Sequence, residues 1–186
     1  MNTISKDYKK LLTEHHKEKE GWGTSGVVHL KKVLDLIHST SSKSVLDYGC
    51  GKGTLGDRVK DKLTEIDWLD YDPAIKGKKK KRKSDLVVCT DVMEHVEEEF
   101  VDAVLSDISE LSNVAYVHIA CGAAGEILAD GRNAHITQRS IEWWQDKIEH
   151  NMEGVKKYFP EKHRPRGGMS GRRSGGDIAL TAIVTK

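Results

Sequence analysis

Two carboxylates and an imidazole, Asp91, Glu94 and His95, follow one another in the segment CTDVMEHV. Positions i, i+3 and i+4 lie on one face of a helical turn, so these three side chains can reach a common point. Carboxylate and imidazole groups bind divalent cations, and His135, in a later polar loop, is a possible fourth ligand. The alternative is structural: Glu94 and His95 then only bond to and pack against neighbouring segments.

A glycine-rich loop follows the first predicted strand, in VLDYGCGKG. Gly49, Gly51 and Gly53 allow a tight turn because they lack a Cβ, and a ligand can then approach the backbone at a helix N-terminus. The spacing is G-x-G-x-G, not the G-x-G-x-x-G of dinucleotide-binding loops, so the loop fits a nicotinamide pyrophosphate poorly. Taken alone, it is also compatible with a plain strand-to-helix corner.

An acidic residue stands about 20 positions beyond the glycines, at the end of the second predicted strand, where a ribose-binding acid is expected. Asp72 in LDYDPAI is that residue, and Asp70 is the alternative. A carboxylate has two acceptor oxygens, which suits the two hydroxyls of a ribose. Together with Asp47 at the end of the first strand, this order of motifs favours a nucleoside-containing cofactor over a structural turn.

These segments resemble the motifs of class I S-adenosylmethionine (SAM)-dependent methyltransferases. The glycine loop is similar to the first motif of that family, which holds the methionine part of the cofactor. CTDVMEHV is similar to the D-V-x-E-H motif of methyltransferases related to those of ubiquinone biosynthesis. From WGTSG to DGRNAHI, nearly the full chain also resembles a group of short bacterial and phage methyltransferases, which implies no particular methyl acceptor.

The resemblance implies where the cofactor binds: in the glycine loop and at the ends of the next two strands, with the tryptophan of WGTSG as a lid or as part of a plain connection. The implied cofactor-binding residues are Trp22, Asp47, Gly49, Cys50, Gly51, Gly53, Asp72, Pro73, Thr90, Asp91 and Val92. Only 12 residues separate Asp72 from Asp85, where the family has a helix and a further strand. We therefore expect that edge strand to be missing or vestigial, with Asp85 or a residue near Ile75 as guesses for the adenine contact.

The resemblance also implies the chemistry. The sulfonium makes the methyl group electrophilic, so the protein aligns the acceptor and, for oxygen or nitrogen, removes a proton. His135 is the predicted general base, with Asp91 and His95 as further catalytic candidates; an ordinary loop histidine is the alternative. Some relatives with an acidic-x-x-E-H motif, among them small-RNA 2′-O-methyltransferases and a ubiquinone-pathway O-methyltransferase, bind a metal through it, which implies a possible set of Asp91, Glu94, His95 and His135. In those relatives the first acid is typically Glu.

The residues between the motifs predict one α/β domain spanning 1–186, with a Rossmann-like methyltransferase fold. We expect a mainly parallel sheet with helices on both faces, two N-terminal helices and the WGTSG loop in 1–40, and the core in 44–186. The run DLVVCT is typical of a strand buried on both faces. The predicted helices cover 5–20, 27–38, 55–63, 100–111 and 139–150, the strands 44–48, 66–71, 85–90, 114–120 and 178–184, and the long loops 122–135 and 159–177.

Composition narrows the class of function. The chain has 186 residues, a net charge of +1 and three cysteines, too few for a disulfide framework. It has no apolar run of membrane-spanning length and no signal-peptide pattern, so we expect a cytoplasmic protein without a membrane partner. His15, His16 and His29 are expected at the surface or on helix faces.

The leading prediction for the acceptor is a small molecule, methylated at oxygen or nitrogen. Two basic runs, 76–83 and 162–173, keep a nucleic-acid or nucleotide methyltransferase open as an alternative. A non-catalytic SAM-binding protein is a further alternative, because a cofactor loop shows binding and not turnover. The sequence predicts no particular oligomeric state.

Overall fold

The computed structural model describes residues 2–162 and 178–186, and its centre is a six-stranded sheet. The strands are β1 Ser44–Tyr48, β2 Asp67–Tyr71, β3 Ser84–Thr90, β4 Ser112–Ala120, β5 Val155–Lys162 and β6 Ile178–Thr185. They lie in the order β2-β1-β3-β4-β6-β5. The first four are parallel, and β6 runs antiparallel between β4 and β5. The predicted Rossmann-like, mainly parallel fold is confirmed.

Helices cover both faces of this sheet. They are α1 Lys6–Glu18, α2 Leu30–Ser39, α3 Thr54–Lys60, α4 Val101–Leu111 and α5 Ile141–Asn151, with short 3-10 turns at 25–29, 93–95 and 98–100. Successive side chains of a strand point to opposite faces, and along β3 Leu86 and Val88 pack with α2 and α3, while Val87 packs with α4 and α5. No helix of the described residues has the length and apolar character that crossing a bilayer requires.

The edge of the sheet at β2 confirms the shortened topology. Residues 72–83 join β2 to β3, and in this described segment there is no further strand. The basic run lies here, and part of it is neutralised locally. Lys78 pairs with Asp70, while Lys81 and Arg82 pair with further acids. Part of this basic run therefore pairs with acidic residues of neighbouring segments, and the rest faces solvent.

The opposite edge corrects the sequence prediction. β5 lies partly where a loop over 159–177 was predicted, so the prediction is wrong for 159–162; residues 163–177 and most of the second basic run lie outside the described residues. The sequence VKKYFPEK is polar and holds Pro160, which an edge strand tolerates because one side of its backbone is unpaired. β5 is therefore a strand that lacks the apolar pattern typical of a buried strand.

Candidate functional site

A cavity of about 660 Å³ lies at the carboxyl ends of the parallel strands. Its walls come from the loop after β1, the residues after β2, the segment 91–97 after β3 and the segment 120–126 after β4, and α1 and residues 21–26 cover it. The chain order reverses between β1 and β3, and in open α/β sheets ligands bind at such a switch point. The cavity volume suits a small molecule or cofactor.

The glycine loop, residues 49–53, forms the floor of this cavity. Gly49 and Gly51 line it with φ angles of 81° and 53°, in the left-handed region that favours glycine. The N–H of Lys52 donates to the carbonyl of Gly23 at 2.9 Å, and a Cβ on Gly51 would collide with the Gly23 backbone. The loop thus holds the covering segment, residues 21–26, directly over the cavity.

Asp72 joins the glycine loop to the end of β2. Its Oδ2 accepts the N–H of Gly51 at 3.1 Å and its Oδ1 accepts the N–H of Ala74 at 2.9 Å. The side chain is only 7% exposed and lines the cavity together with Pro73. The alternative acid, Asp70, instead bonds Lys78 and the indole N–H of Trp68 and is not part of the cavity wall.

Four of the predicted cofactor residues, Asp47, Cys50, Gly53 and Thr90, are not among the residues that line the cavity. Burial, with the charge of the neighbouring Asp70, raises the pKa of Asp47 well above its usual range. The guess for Asp85 as an adenine contact is wrong. Its carboxylate accepts the backbone N–H groups of Lys43 and Ser44 at the amino ends of the strands, whereas the cavity lies at their carboxyl ends.

Glu94, His95 and His135, which we call the Glu94 cluster, meet in the cavity wall. One ligand atom of each lies within 4.8 Å of the others. Glu94 is fully buried; its Oε1 accepts the N–H of Ala120 at 3.1 Å, and its Oε2 has no hydrogen-bond partner among the described residues. Burial, and then the charge of Asp91, raise the Glu94 pKa well above its usual range.

Backbone carbonyls fix the tautomers of both histidines in this cluster. His95 Nδ1 lies 2.7 Å from the carbonyl of Ala134, and His135 Nδ1 lies 2.6 Å from the carbonyl of Gly122. A carbonyl only accepts, so Nδ1 carries the proton and Nε2 is the atom with a lone pair when the ring is neutral. Burial, and then His135, lower the pKa of His95 to about 4, so this ring is neutral at pH 7.

Asp91 lies outside the Glu94 cluster although the sequence groups it there. Its backbone is left-handed, with φ 54°, and residues 93–95 form a 3-10 turn, so the spacing of an α-helical turn does not apply. Its Oδ1 lies 2.7 Å from His118 Nδ1 and 3.6 Å from His29 Nε2. Burial alone would raise the Asp91 pKa, but the bond from His118 and the facing His29 hold it below the usual range.

Trp22 covers the Glu94 cluster, as a lid residue would. Its ring stands edge-on to His95 at 5.0 Å between centroids and to His15 at 4.6 Å. His15 is 4% exposed, and His16 lines the cavity. His15 and His16 thus lie on a helix face, which was one of the two expected positions, but neither they nor His29 are exposed at the surface. The narrow apolar stripe of α1 does not predict that the polar side of this helix also faces the cavity.

Comparisons with known proteins bear on the fold and the family. A sequence profile described as a methyltransferase domain matches residues 25–163. A SAM-dependent methyltransferase from Archaeoglobus fulgidus is 15% identical, with a TM-score of 0.59 over 92% of this chain and 98% of that one. The plantazolicin methyltransferase BamL, in complex with a substrate analog and SAH, is 10% identical, with a TM-score of 0.60 over 92% and 88%.

The small RNA methyltransferase HEN1 is also similar, at 14% identity and a TM-score of 0.56, over 85% of this chain and 25% of that longer one. No curated protein sequence matches the chain. At these low identities the solved structures show a shared fold. The finer resemblance to the D-V-x-E-H group and to short bacterial and phage proteins stays a prediction.

Proposed function

The chain belongs to the methyltransferase-domain family, and we propose that it methylates an oxygen or nitrogen atom of a small molecule. The observation that carries this proposal is the Glu94 cluster, which lines the same cavity as the glycine loop and Asp72. Groups suited to activating an acceptor thus stand beside groups suited to holding the methyl donor. The protein is an enzyme, and the acceptor is the part that we infer.

The methyl donor is S-adenosylmethionine, whose product form, SAH, is bound in the similar BamL structure. In this chain we assign the methionine part to the glycine loop and the ribose hydroxyls to Asp72. Trp22, Asp91 and Val92 also line the cavity, and we assign them to the methionine end. Glycines at 49 and 51 let the cofactor approach the backbone of the loop, and the Asp72 carboxylate suits its ribose hydroxyls.

Gly51→Ala should weaken SAH binding about tenfold, which corresponds to about 1.4 kcal/mol. The new Cβ collides with the Gly23 backbone and displaces the covering segment, in addition to the strain of φ 53°. Gly77→Ala is the matched control, because Gly77 also has a positive φ but open space around its Cβ. Calorimetric titration of both variants measures the difference, and equal affinities would contradict a close contact of the two loops.

The covered shape of the cavity favours a small acceptor. Tyr8, Leu12 and His16 of α1 line it, so the acceptor lies under a helix and not on an open surface. The hydroxyl of Tyr8 is buried without a hydrogen-bond partner among the described residues, and an unpaired buried hydroxyl is costly unless a ligand bonds it. We therefore assign Tyr8 to acceptor binding.

We further propose that Glu94, His95 and His135 hold a divalent metal ion. The unpaired Glu94 Oε2 and the Nε2 lone pairs of two histidines form an O,N,N donor set, which fits such an ion. The carbonyls of Ala134 and Gly122 orient the rings in the way that accompanying groups orient metal-binding histidines. When bound, the ion lowers the pKa of an acceptor hydroxyl. Without one, His135 Nε2 is placed to take the acceptor proton as general base.

A nucleic-acid acceptor is the second candidate. The small RNA methyltransferase HEN1 shares the fold, and Lys76, Lys79, Lys80 and Lys83 are exposed in the segment after β2. These lysines are suited to phosphate contacts, which would make binding depend on salt. The enclosed acceptor space under α1 places this candidate behind the small molecule.

We place the reaction in the cytoplasm, without a membrane partner. Cys50, Cys89 and Cys121 are all free thiols, and two of them are buried. Disulfide bonds are rare in the reducing cytoplasm, so free cysteines fit this compartment. Labelling of a tagged copy in cells would test the assignment.

Methyl-labelled SAM and fractionated acceptor pools test the proposed function. We expect label in the small-molecule fraction, with the reaction stopped by a chelator and restored by Zn²⁺, Co²⁺ or Mn²⁺. Full activity in chelator would assign His135 as a metal-free base. Label only in RNA, lost at high salt, would favour the second candidate. Tight SAM binding with no transfer to any pool would contradict both.

A further inference from the structure

A second group of ligand-type side chains lies at the cavity wall, apart from the Glu94 cluster, and only its Asp91 lines the cavity. His29, Asp91 and His118, which we call the His29 cluster, each offer one ligand atom within 4.8 Å of the others. Their side chains are 10%, 13% and 6% exposed. They come from the 3-10 turn at 25–29, the residue after β3, and β4, so the fold brings together positions far apart in sequence.

The contacts inside the His29 cluster leave one imidazole nitrogen, His29 Nε2, without a hydrogen bond. His118 Nδ1 lies 2.7 Å from Asp91 Oδ1, and His29 Nε2 lies 3.6 Å from the same oxygen, beyond hydrogen-bond distance. This Nε2 is buried and has no hydrogen-bond partner among the described residues. Such a nitrogen facing a carboxylate is satisfied by a proton, as an ion pair at 3.6 Å, or by a metal cation between the two atoms.

The other edge of the His29 ring is held in place. Its Nδ1 lies 3.0 Å from the hydroxyl of Tyr116 on β4, so the ring orientation is set independently of Asp91. Histidines that bind metals are commonly oriented by such a contact at the nitrogen that does not bind. A tetrahedral ion with bonds of about 2.0 Å separates two ligand atoms by roughly 3.3 Å, close to the gap that His29 leaves.

We propose that the His29 cluster binds a second divalent transition-metal ion of the Zn²⁺ type, distinct from the ion proposed for the Glu94 cluster. Two imidazole nitrogens and one carboxylate oxygen suit Zn²⁺, Co²⁺ or Ni²⁺, whereas Mg²⁺ and Ca²⁺ prefer oxygen ligands. The negative Asp91 offsets part of the charge of the ion. Three protein ligands leave one position for water.

This ion positions the wall of the cavity. His29 ends the turn that continues from the covering segment, and Asp91 begins the segment that carries Glu94 and His95. An ion bound by both, and by His118 of β4, ties the cover to the sheet at the carboxyl ends of β3 and β4. Metal removal should therefore lower the melting temperature and loosen the cover, even when the Glu94 cluster is disabled.

Metal-free full-length protein, titrated with Co²⁺ or Zn²⁺ by calorimetry, tests this site. We expect Glu94→Gln to retain one equivalent, because that variant changes only the other cluster. His29→Gln and His118→Gln should each lose one equivalent relative to the unchanged chain, together with the visible Co²⁺ spectrum of a four-coordinate site. His38→Gln, at an exposed position of α2, is the control and should bind like the unchanged chain.

Melting curves without metal establish that each variant is folded. Zn²⁺ should raise the melting temperature of the unchanged chain and of Glu94→Gln, and should leave folded His29→Gln with a smaller rise. The proposal is overturned if folded His29→Gln binds as many equivalents as the unchanged chain, or if Glu94→Gln binds none. The Glu94→Gln result does not depend on activity, so failure of this site is distinguishable from failure of the proposed function.

Discussion

Replacing Asp72 with alanine should weaken SAH binding at least tenfold. The variant removes the carboxylate assigned to the ribose hydroxyls and also the acceptor of the Gly51 N–H that orders the glycine loop. A hydrogen bond to a charged group contributes about 1.5–3 kcal/mol, and about 1.4 kcal/mol corresponds to a factor of ten. Asp72→Asn keeps one acceptor oxygen, so its loss should be intermediate.

Asp70→Ala is the matched control for this prediction. Asp70 is an acid of β2, two residues before Asp72, but it bonds Lys78 and Trp68 outside the cavity wall. We expect Asp70→Ala to change the melting temperature and to leave SAH affinity nearly unchanged. Calorimetry on both variants decides between the two acids. A folded Asp72→Ala with unchanged affinity, or a larger loss in Asp70→Ala, would show that the ribose is not bound here.

Replacing Glu94 with glutamine should lower kcat about a hundredfold or more, the order of effect of losing acid–base or metal assistance. Glutamine has nearly the same shape, but it has no charge and presents N–H donors to the two histidines. The residues assigned to the cofactor are untouched, so SAH affinity should stay close to that of the unchanged chain. The measurement is turnover on the acceptor found in the fractionated pools, with metal content recorded in parallel.

Glu98→Gln is the control for charge loss in the same segment, because Glu98 is exposed and pairs with Arg139 at the surface. It should retain full turnover. His135→Ala should lose turnover to a degree similar to Glu94→Gln if the cluster acts as one unit. Full activity and unchanged metal content in Glu94→Gln would instead leave Glu94 as a structural acceptor for the Ala120 N–H.

The fold, and the meeting of the glycine loop with Asp72 in one cavity wall, could be predicted because their signals are local. Apolar runs that end in the glycine loop, or in Asp72, reflect strands whose carboxyl ends meet at one edge. The missing edge strand was likewise predictable, because the segment 72–83 is too short for the helix and strand that the resembled family has there. The structure brings Glu94, His95 and His135 together as the residue types suggested, and their binding of a metal stays a prediction.

The remaining parts depend on features that residue spacing does not carry. Asp91 does not lie with Glu94, His95 and His135 as predicted, because its backbone is left-handed just before a 3-10 turn. This conformation changes the direction of its carboxylate. His29 and His118 are distant in sequence, so only the sheet and the covering segment bring them to Asp91. β5 escaped prediction because an edge strand needs neither alternation nor a full set of N–H donors.

The most direct test of the account is calorimetric titration of the unchanged protein with S-adenosylmethionine and with SAH, in the presence and absence of Zn²⁺. We predict one site that binds both ligands with micromolar affinity, competitive with each other. Metal should change the heat of SAM binding less than it changes turnover, because we assign the cofactor contacts to the glycine loop and Asp72. No binding of either ligand by folded protein, under either condition, would contradict the assignment of this cavity to the methyl donor.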